Sequence, residues 1–232
     1  MISLVGDTHG TIDFTRLSSH NWPTGQNLTK NDYVIVLGDF GVYWSMEEDS
    51  QEKYLSKWYN SKPWTTLWLD GNHENHDRIK TFPTVEKFGS EVGYCSPSIY
   101  HLRRGHIYTI EDKTFFVMGG ATSIDKDSRK EYISWWSNEI PNHAEFELGL
   151  SNLDKYQWNV DYVLSHTCPE IVFHDWARSQ KFPVVASDRC PVKEYLDIIY
   201  KNCSFKRWFC GHLHSDIDFT NISLVYNGII KL

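Results

Sequence analysis

Five times along this chain a short apolar run stops abruptly at a polar cluster, and that recurrence limits the fold more than any other feature. Ile2 to Val5 runs into Gly6-Asp7-Thr8-His9-Gly10, Tyr33 to Leu37 into Gly38-Asp39-Phe40-Gly41, and Thr65 to Leu69 into Asp70-Gly71-Asn72-His73-Glu74. Tyr162 to Leu164 precedes Ser165-His166, and Trp208 to Cys210 precedes Gly211-His212-Leu213-His214. Runs this short, rich in Val, Ile and aromatics, read as buried strands. Helix-like stretches fall between them, including Glu47 to Asn60, His143 to Tyr156 and Pro191 to Tyr200. Strands alternating with helices predict an α/β fold. Ligands of open α/β sheets collect beyond the carboxyl ends of strands, which is where each polar cluster falls.

The middle is less regular. Tyr94 to Gly120 reads as several short strands in succession, and two more strand-like runs follow the last His cluster, with Asn227-Gly228 placed to turn a hairpin. These imply a second, partly antiparallel set of strands. No repeat or linker divides the 232 residues, so residues 1–232 read as one domain. The polar, Trp-containing stretch 123–147 reads as a surface excursion that can cap the site.

The strand ends supply Asp7, His9, Asp39, Asn72, His166, His212 and His214. All are oxygen or imidazole donors, a mix that suits Mn, Fe, Zn or Co, with Mn the preferred ion, and disfavours a structural zinc site. Seven side chains are too many for one ion with an open position and suit two divalent ions that share a carboxylate. At a strand end, residues two apart point to the same side, so Asp-x-His and His-x-His can each face one site. Two divalent ions and two Asp leave the site positive even with a hydroxide bridging the metals, which favours a phosphoryl group. Metal coordination lowers the pKa of water towards ~7. His73, beside Asn72, is the general-acid candidate for the leaving alkoxide.

Each motif alone has an ordinary structural explanation. Asp-x-His is commonly a surface turn, Gly-Asp is turn chemistry, Asn72 can cap a helix, and His166 can be a bonded core histidine. Their order and shared position at strand ends favour the joint reading.

The net charge of −7 and the lack of a basic stripe argue against long nucleic acid as the main partner and leave a small phosphorylated substrate. Arg104 and Arg129 are the preferred phosphate-binding candidates, with Arg103, Lys126 and Arg178 read as solvated. Trp44 is expected to line the pocket, and His76 and His101 to be structural. No apolar run reaches membrane-spanning length. Five cysteines without a C-x-x-C pair, and an opening that goes straight into a strand, lead to the expectation of a reducing, cytoplasmic setting.

Together Asp7-Thr8-His9, Gly38-Asp39, Gly71-Asn72-His73-Glu74, Ser165-His166 and Gly211-His212-Leu213-His214 resemble, in the same order, the five motifs of the calcineurin-like metallophosphoesterase superfamily. The resemblance implies a four-layer α/β/β/α sandwich with mixed sheets and a dinuclear site that hydrolyses phosphomonoesters or phosphodiesters. It implies Asp7, His9, Asp39 and His214 on one metal; Asp39, Asn72, His166 and His212 on the other; Asp39 as the bridge; and His73 as the acid. Gly119 to Asp125 looks like bacterial and phage members. Where the family's protein Ser/Thr phosphatases carry an Asp and an Arg after the second motif, Val42 and Tyr43 stand here. That favours a nucleotide or small phosphodiester over a phosphoprotein, and leaves the orienter of His73 open, with Glu74 its neighbour in sequence. The alternatives are a protein phosphatase or nuclease of the same superfamily, or a non-catalytic scaffold, whose signature would be replaced ligands.

Overall fold

Side chains alternate along each strand, and the alternation sorts the apolar residues into three separate cores. In β2 (Tyr33–Leu37), Val34 and Val36 face one way and Ile35 and Leu37 the other. In β8 (Lys113–Met118), Phe115 and Val117 oppose Phe116 and Met118 in the same manner. The computed structural model describes residues 1–184 and 189–232. Within them lies one sheet ordered β13-β1-β2-β3-β6-β5-β4, from β1 (Ile2–Val5), β3 (Thr65–Leu69), β4 (Thr84–Lys87), β5 (Ser90–Ser96), β6 (Ile99–Leu102) and β13 (Ile229–Lys231) around β2. The second sheet is ordered β11-β12-β10-β9-β8-β7, adding β7 (Ile107–Ile110), β9 (Tyr162–Ser165), β10 (Arg207–Cys210), β11 (Ile217–Asp218) and β12 (Ile222–Leu224).

Ile35, Leu37, Leu67 and Leu69 of the first sheet share a core with Phe115, Val117, Leu164 and Phe209 of the second, so the sheets pack face to face. The outer face of the first sheet buries Val34, Val36 and Trp68 against Leu55 and Tyr59 of α1 (Ser50–Asn60). The outer face of the second buries Phe116, Val163 and Trp208 against Leu153 of α3 (His143–Lys155), Phe173 of α4 (Glu170–Gln180), and Leu196 and Ile199 of α5 (Pro191–Asn202). Helices outside two sheets make the four-layer α/β/β/α sandwich. The short α2 (His76–Lys80) follows the third polar cluster. None of the helices in the described residues is long and apolar enough to cross a membrane.

Two local expectations need correcting. Asn227-Gly228 turns no hairpin: β12 pairs with β10 and with β11 in the second sheet, and β13 pairs with β1 in the first. Asn227 and Gly228 instead donate backbone N–H groups to Asp216, at 3.0 and 3.1 Å, where the chain crosses between sheets. Helix α1 starts at Ser50 rather than Glu47, because Asp49 caps it by accepting from the Glu52 N–H at 2.8 Å. The 123–147 stretch folds back on the body. Trp136 is buried edge-on to Trp44, with ring centroids 5.3 Å apart. The Glu139 carboxylate accepts from the N–H and hydroxyl of Ser123. The last residues of the stretch already belong to α3.

Candidate metal centre

Strands β1, β2 and β3 are parallel neighbours, so the loops bearing Asp7, Asp39 and Asn72 leave the first sheet at one edge. Strands β9 and β10 are parallel too, and bring His166, His212 and His214 to the facing edge of the second. The sheets are tied there by His166, whose Nδ1 donates to the Leu37 carbonyl at 2.8 Å. The approach leaves no room for a side chain at position 38: a Cβ on Gly38, which has φ of +96°, would lie 2.1 Å from His166 Nδ1. A Cβ on Gly71 would likewise meet the Asp39 carboxylate at 2.0 Å. His9, Asp39, His212 and His214 all adopt left-handed backbone, with φ of 43°, 47°, 65° and 45°. Other non-glycine residues, such as Phe88 and Trp158, share this conformation elsewhere, so the strain marks the site only together with the converging ligand atoms.

The hydrogen bonds fix which atoms face inward. With Nδ1 of His166 donating to Leu37, its Nε2 is the nitrogen that faces Asn72 Oδ1 at 3.0 Å and Asp39 Oδ1 at 3.4 Å. The Asn72 amide is held the same way round, because its Nδ2 donates to Ser123 Oγ at 3.0 Å. On the other side, His9 Nδ1 donates to Asp13 at 2.8 Å, which turns Nε2 towards Asp39 Oδ2 at 3.5 Å. His214 Nε2 is 3.1 Å from Asp7 Oδ2 and its ring stacks on Tyr226. Two groups can therefore hold an ion, Asp7 with His9 and His214, and Asp7 with Asp39 and His166; the ligand atoms of each lie within 4.8 Å of one another. The two oxygens of Asp39 point to different imidazoles. Imidazole, amide and carboxylate ligand atoms that converge around two fully buried carboxylates call for positive charge among them, and oxygen and imidazole donors fit divalent ions.

The electrostatics agree. Burial alone would raise the Asp39 pKa, but His166 and the bond from His9 hold it far below the usual carboxylate range. Burial lowers His9, yet its bonds to Asp39 and Asp13 outweigh that and lift it to about 9. A proton and a metal ion thus compete for the same lone pair. His212 is pushed down to about 3 by burial and by His166, whose ring centroid is 4.9 Å away. Burial also lowers His73, against the pull of Asp39.

His73 lines an open cleft of about 480 Å³ together with His9, Trp44 and Arg129. Its backbone N–H donates to Asp39 Oδ1 at 2.8 Å. Glu74 does not serve its ring: that buried carboxylate accepts from the N–H groups of Phe40 and Gly41 and braces the loop bearing Asp39. Arg104 is the site residue that the fold takes elsewhere. It is buried with its Nε 2.7 Å from Asp70 Oδ2, and its remaining nitrogens reach Glu145, His76 and the Glu139 carbonyl. A substrate phosphate would have to displace a carboxylate to use it. Sequence reasoning missed Asp13 and Ser123, which orient His9 and Asn72. The one available signal was Asp13 at i+4 from His9.

The profile of the calcineurin-like phosphoesterases matches residues 2–216. The chain belongs to this family. Among curated proteins, none shows significant similarity to it. For a calcineurin-like phosphoesterase, the two His/Asp groups at the facing sheet edges are the expected setting for metal-dependent phosphoester chemistry.

Proposed function

We propose that the chain hydrolyses small phosphomonoesters or phosphodiesters with two divalent ions, manganese favoured. Asp7, His9, Asp39 and His214 would hold one ion, and Asp39, Asn72, His166 and His212 the other. The observation that carries this reading is Asp39, whose Oδ2 faces His9 Nε2 and whose Oδ1 faces His166 Nε2, with Asn72 Oδ1 directed at the same His166 nitrogen. When bound, the ions supply an activated water and positive charge to offset that developing on the phosphoryl oxygens.

The chain's own groups do the rest. Asp13 and the Leu37 carbonyl hold the His9 and His166 rings in the tautomer that presents Nε2. His73 gives its proton to the leaving alkoxide; burial favours its neutral form, so the proton is released readily. Arg129, held by Asp125 at 2.7 Å, lies in the cleft beside His73 and takes a phosphoryl oxygen. The 123–147 excursion, which carries both residues, caps the cleft within a single domain.

Val42 and Tyr43 are buried, and Tyr43 packs on Trp68 and Phe82, which supports a small substrate over a phosphoprotein. Five free thiols support a reducing, cytoplasmic location. The test is a metal-reconstituted screen of monoesters, diesters, nucleotides and short nucleic acids on one preparation. Hydrolysis of a small ester that chelation abolishes and Mn²⁺ restores is expected. No hydrolysis with any divalent ion, or hydrolysis that persists after verified metal removal, would refute the reading.

A further inference from the structure

Two separate openings meet at the histidine cluster, and they differ in chemistry. The first is the open cleft that contains His9, His73, Trp44 and Arg129. The second is a smaller pocket of about 190 Å³ whose lining includes His212 and His214 together with Ile124, Phe173, Trp176 and Phe182. Among the described residues, none lines both. The 123–147 excursion contributes Ile124 to one and Arg129 to the other.

The aromatic pocket is built from α4 and the turn after it. Phe173 and Trp176 stack with ring centroids 5.7 Å apart, and Phe182 meets Trp176 at 5.4 Å. The indole N–H of Trp176 donates to Ser215 at 3.0 Å, so the polar atom of that ring is already satisfied. Lys193, which also borders the pocket, is buried with its ammonium 3.3 Å from Glu170 and 3.4 Å from the centre of the Phe173 ring. A pocket with these walls takes a flat apolar group rather than a second phosphate.

The position of His73 decides which part of a substrate that group is. A proton donor must stand beside the leaving oxygen, so the leaving alcohol lies in the cleft with His73. The pocket beside His212 and His214 then faces a substituent that stays on phosphorus. A phosphomonoester has no such substituent. We infer that the preferred substrate is a phosphodiester whose retained arm carries an aromatic ring, seated between Phe173, Trp176 and Phe182. This rests on the phosphoesterase reading. In the reaction one water is consumed. Its oxygen bonds to phosphorus, the P–O bond to the arm in the cleft breaks, His73 protonates that leaving oxygen, and a proton from the water restores His73. The product is a monoester that still carries the ring.

Three esters with the same leaving group test the inference: p-nitrophenyl phosphate, methyl p-nitrophenyl phosphate and phenyl p-nitrophenyl phosphate. The Mn²⁺-loaded protein should cleave the phenyl diester with kcat/KM roughly tenfold above the methyl diester, the scale of a good apolar pocket contact. Phe182→Ala, a change at a partly exposed wall residue, should collapse that phenyl-to-methyl ratio towards unity. Equal kcat/KM for the two diesters, or a ratio unchanged in Phe182→Ala, would overturn the inference while hydrolysis itself still supports the phosphoesterase reading. Calorimetric binding of phenyl phosphate, the monoester product, reads the pocket without turnover. It should bind roughly tenfold more tightly than methyl phosphate, and lose that advantage in Phe182→Ala. Equal binding of the two would count against the pocket even if no ester is cleaved.

Discussion

Two buried carboxylates stand one strand apart in the same sheet and are neutralised in different ways. Asp39 follows β2 and Asp70 follows β3. Asp70 receives Arg104 at 2.6 Å and His101 at 3.0 Å, and the carboxylate stays ionised despite its burial because Arg104 and these neighbours offset the desolvation. Asp39 and Asp7 have only imidazoles as basic partners among the described residues, at 3.1 to 4.0 Å. One cluster is closed by the chain itself, and the other is left for cations from outside. A buried charge that the protein pairs with its own guanidinium needs no ion from outside; one that sits among converging imidazoles and carboxylates can take one.

The contrast predicts opposite consequences for similar substitutions. Asp39→Asn should lower turnover by roughly 10³-fold, the upper scale for losing one electrostatic contact to a transition state. The metal-free protein should meanwhile stay folded, since Asn fills the same space and its Oδ1 can still accept from the His73 N–H; steady-state kinetics and a thermal scan read the two effects. Arg104→Met should do the reverse. It leaves Asp70 buried and uncompensated, at about 3–5 kcal/mol of stability by denaturant titration. Adding Asp70→Asn to it should recover much of that loss. If Arg104→Met abolished phosphoesterase activity in protein shown to be folded, the division between the clusters would fail.

Smaller effects sharpen the same division. Asp13→Asn weakens the hold on His9 and should lower metal affinity about 10- to 100-fold with little change in melting temperature, read by metal titration. His76 belongs to the closed cluster: its Nδ1 accepts from Arg104 at 3.2 Å, and burial, with Arg104, pushes its pKa down to about 3. Between pH 6.5 and about 3 the unfolded chain therefore takes up a proton that the folded chain refuses. Stability from this group is complete above that window and falls as pH drops through it, at no more than about 1.4 kcal/mol per pH unit. His76→Asn should flatten the acid side of the stability curve, and an unaltered slope would show that the ring does not titrate in this way.

The open cluster was legible in the sequence, and the closed one was not. Asp7, Asp39, Asn72, His166, His212 and His214 each follow an apolar run, so strand period and strand ends mark them without a tertiary contact. The four-layer order was readable for a related reason, since buried strands alternated with helical stretches. Arg104 carried no such mark. Its partner Asp70 lies 34 positions earlier, and an arginine before a glycine looks the same whether it meets a substrate or a carboxylate. The tail misled because Asn227-Gly228 has hairpin chemistry, while the choice of sheet for β12 and β13 depends on edges that only the assembled sandwich offers. Glu74 misled through proximity: it is adjacent to His73 in sequence, yet its carboxylate turns back to the N–H groups of Phe40 and Gly41.

The decisive measurement is a crystal structure of the Mn²⁺-loaded protein with anomalous data collected at the manganese edge. Two anomalous peaks per chain are expected, one beside His9 and His214, one beside Asn72 and His166, each touching a different oxygen of Asp39. A single peak, or two peaks with Asp39 bound to neither, would contradict the dinuclear reading.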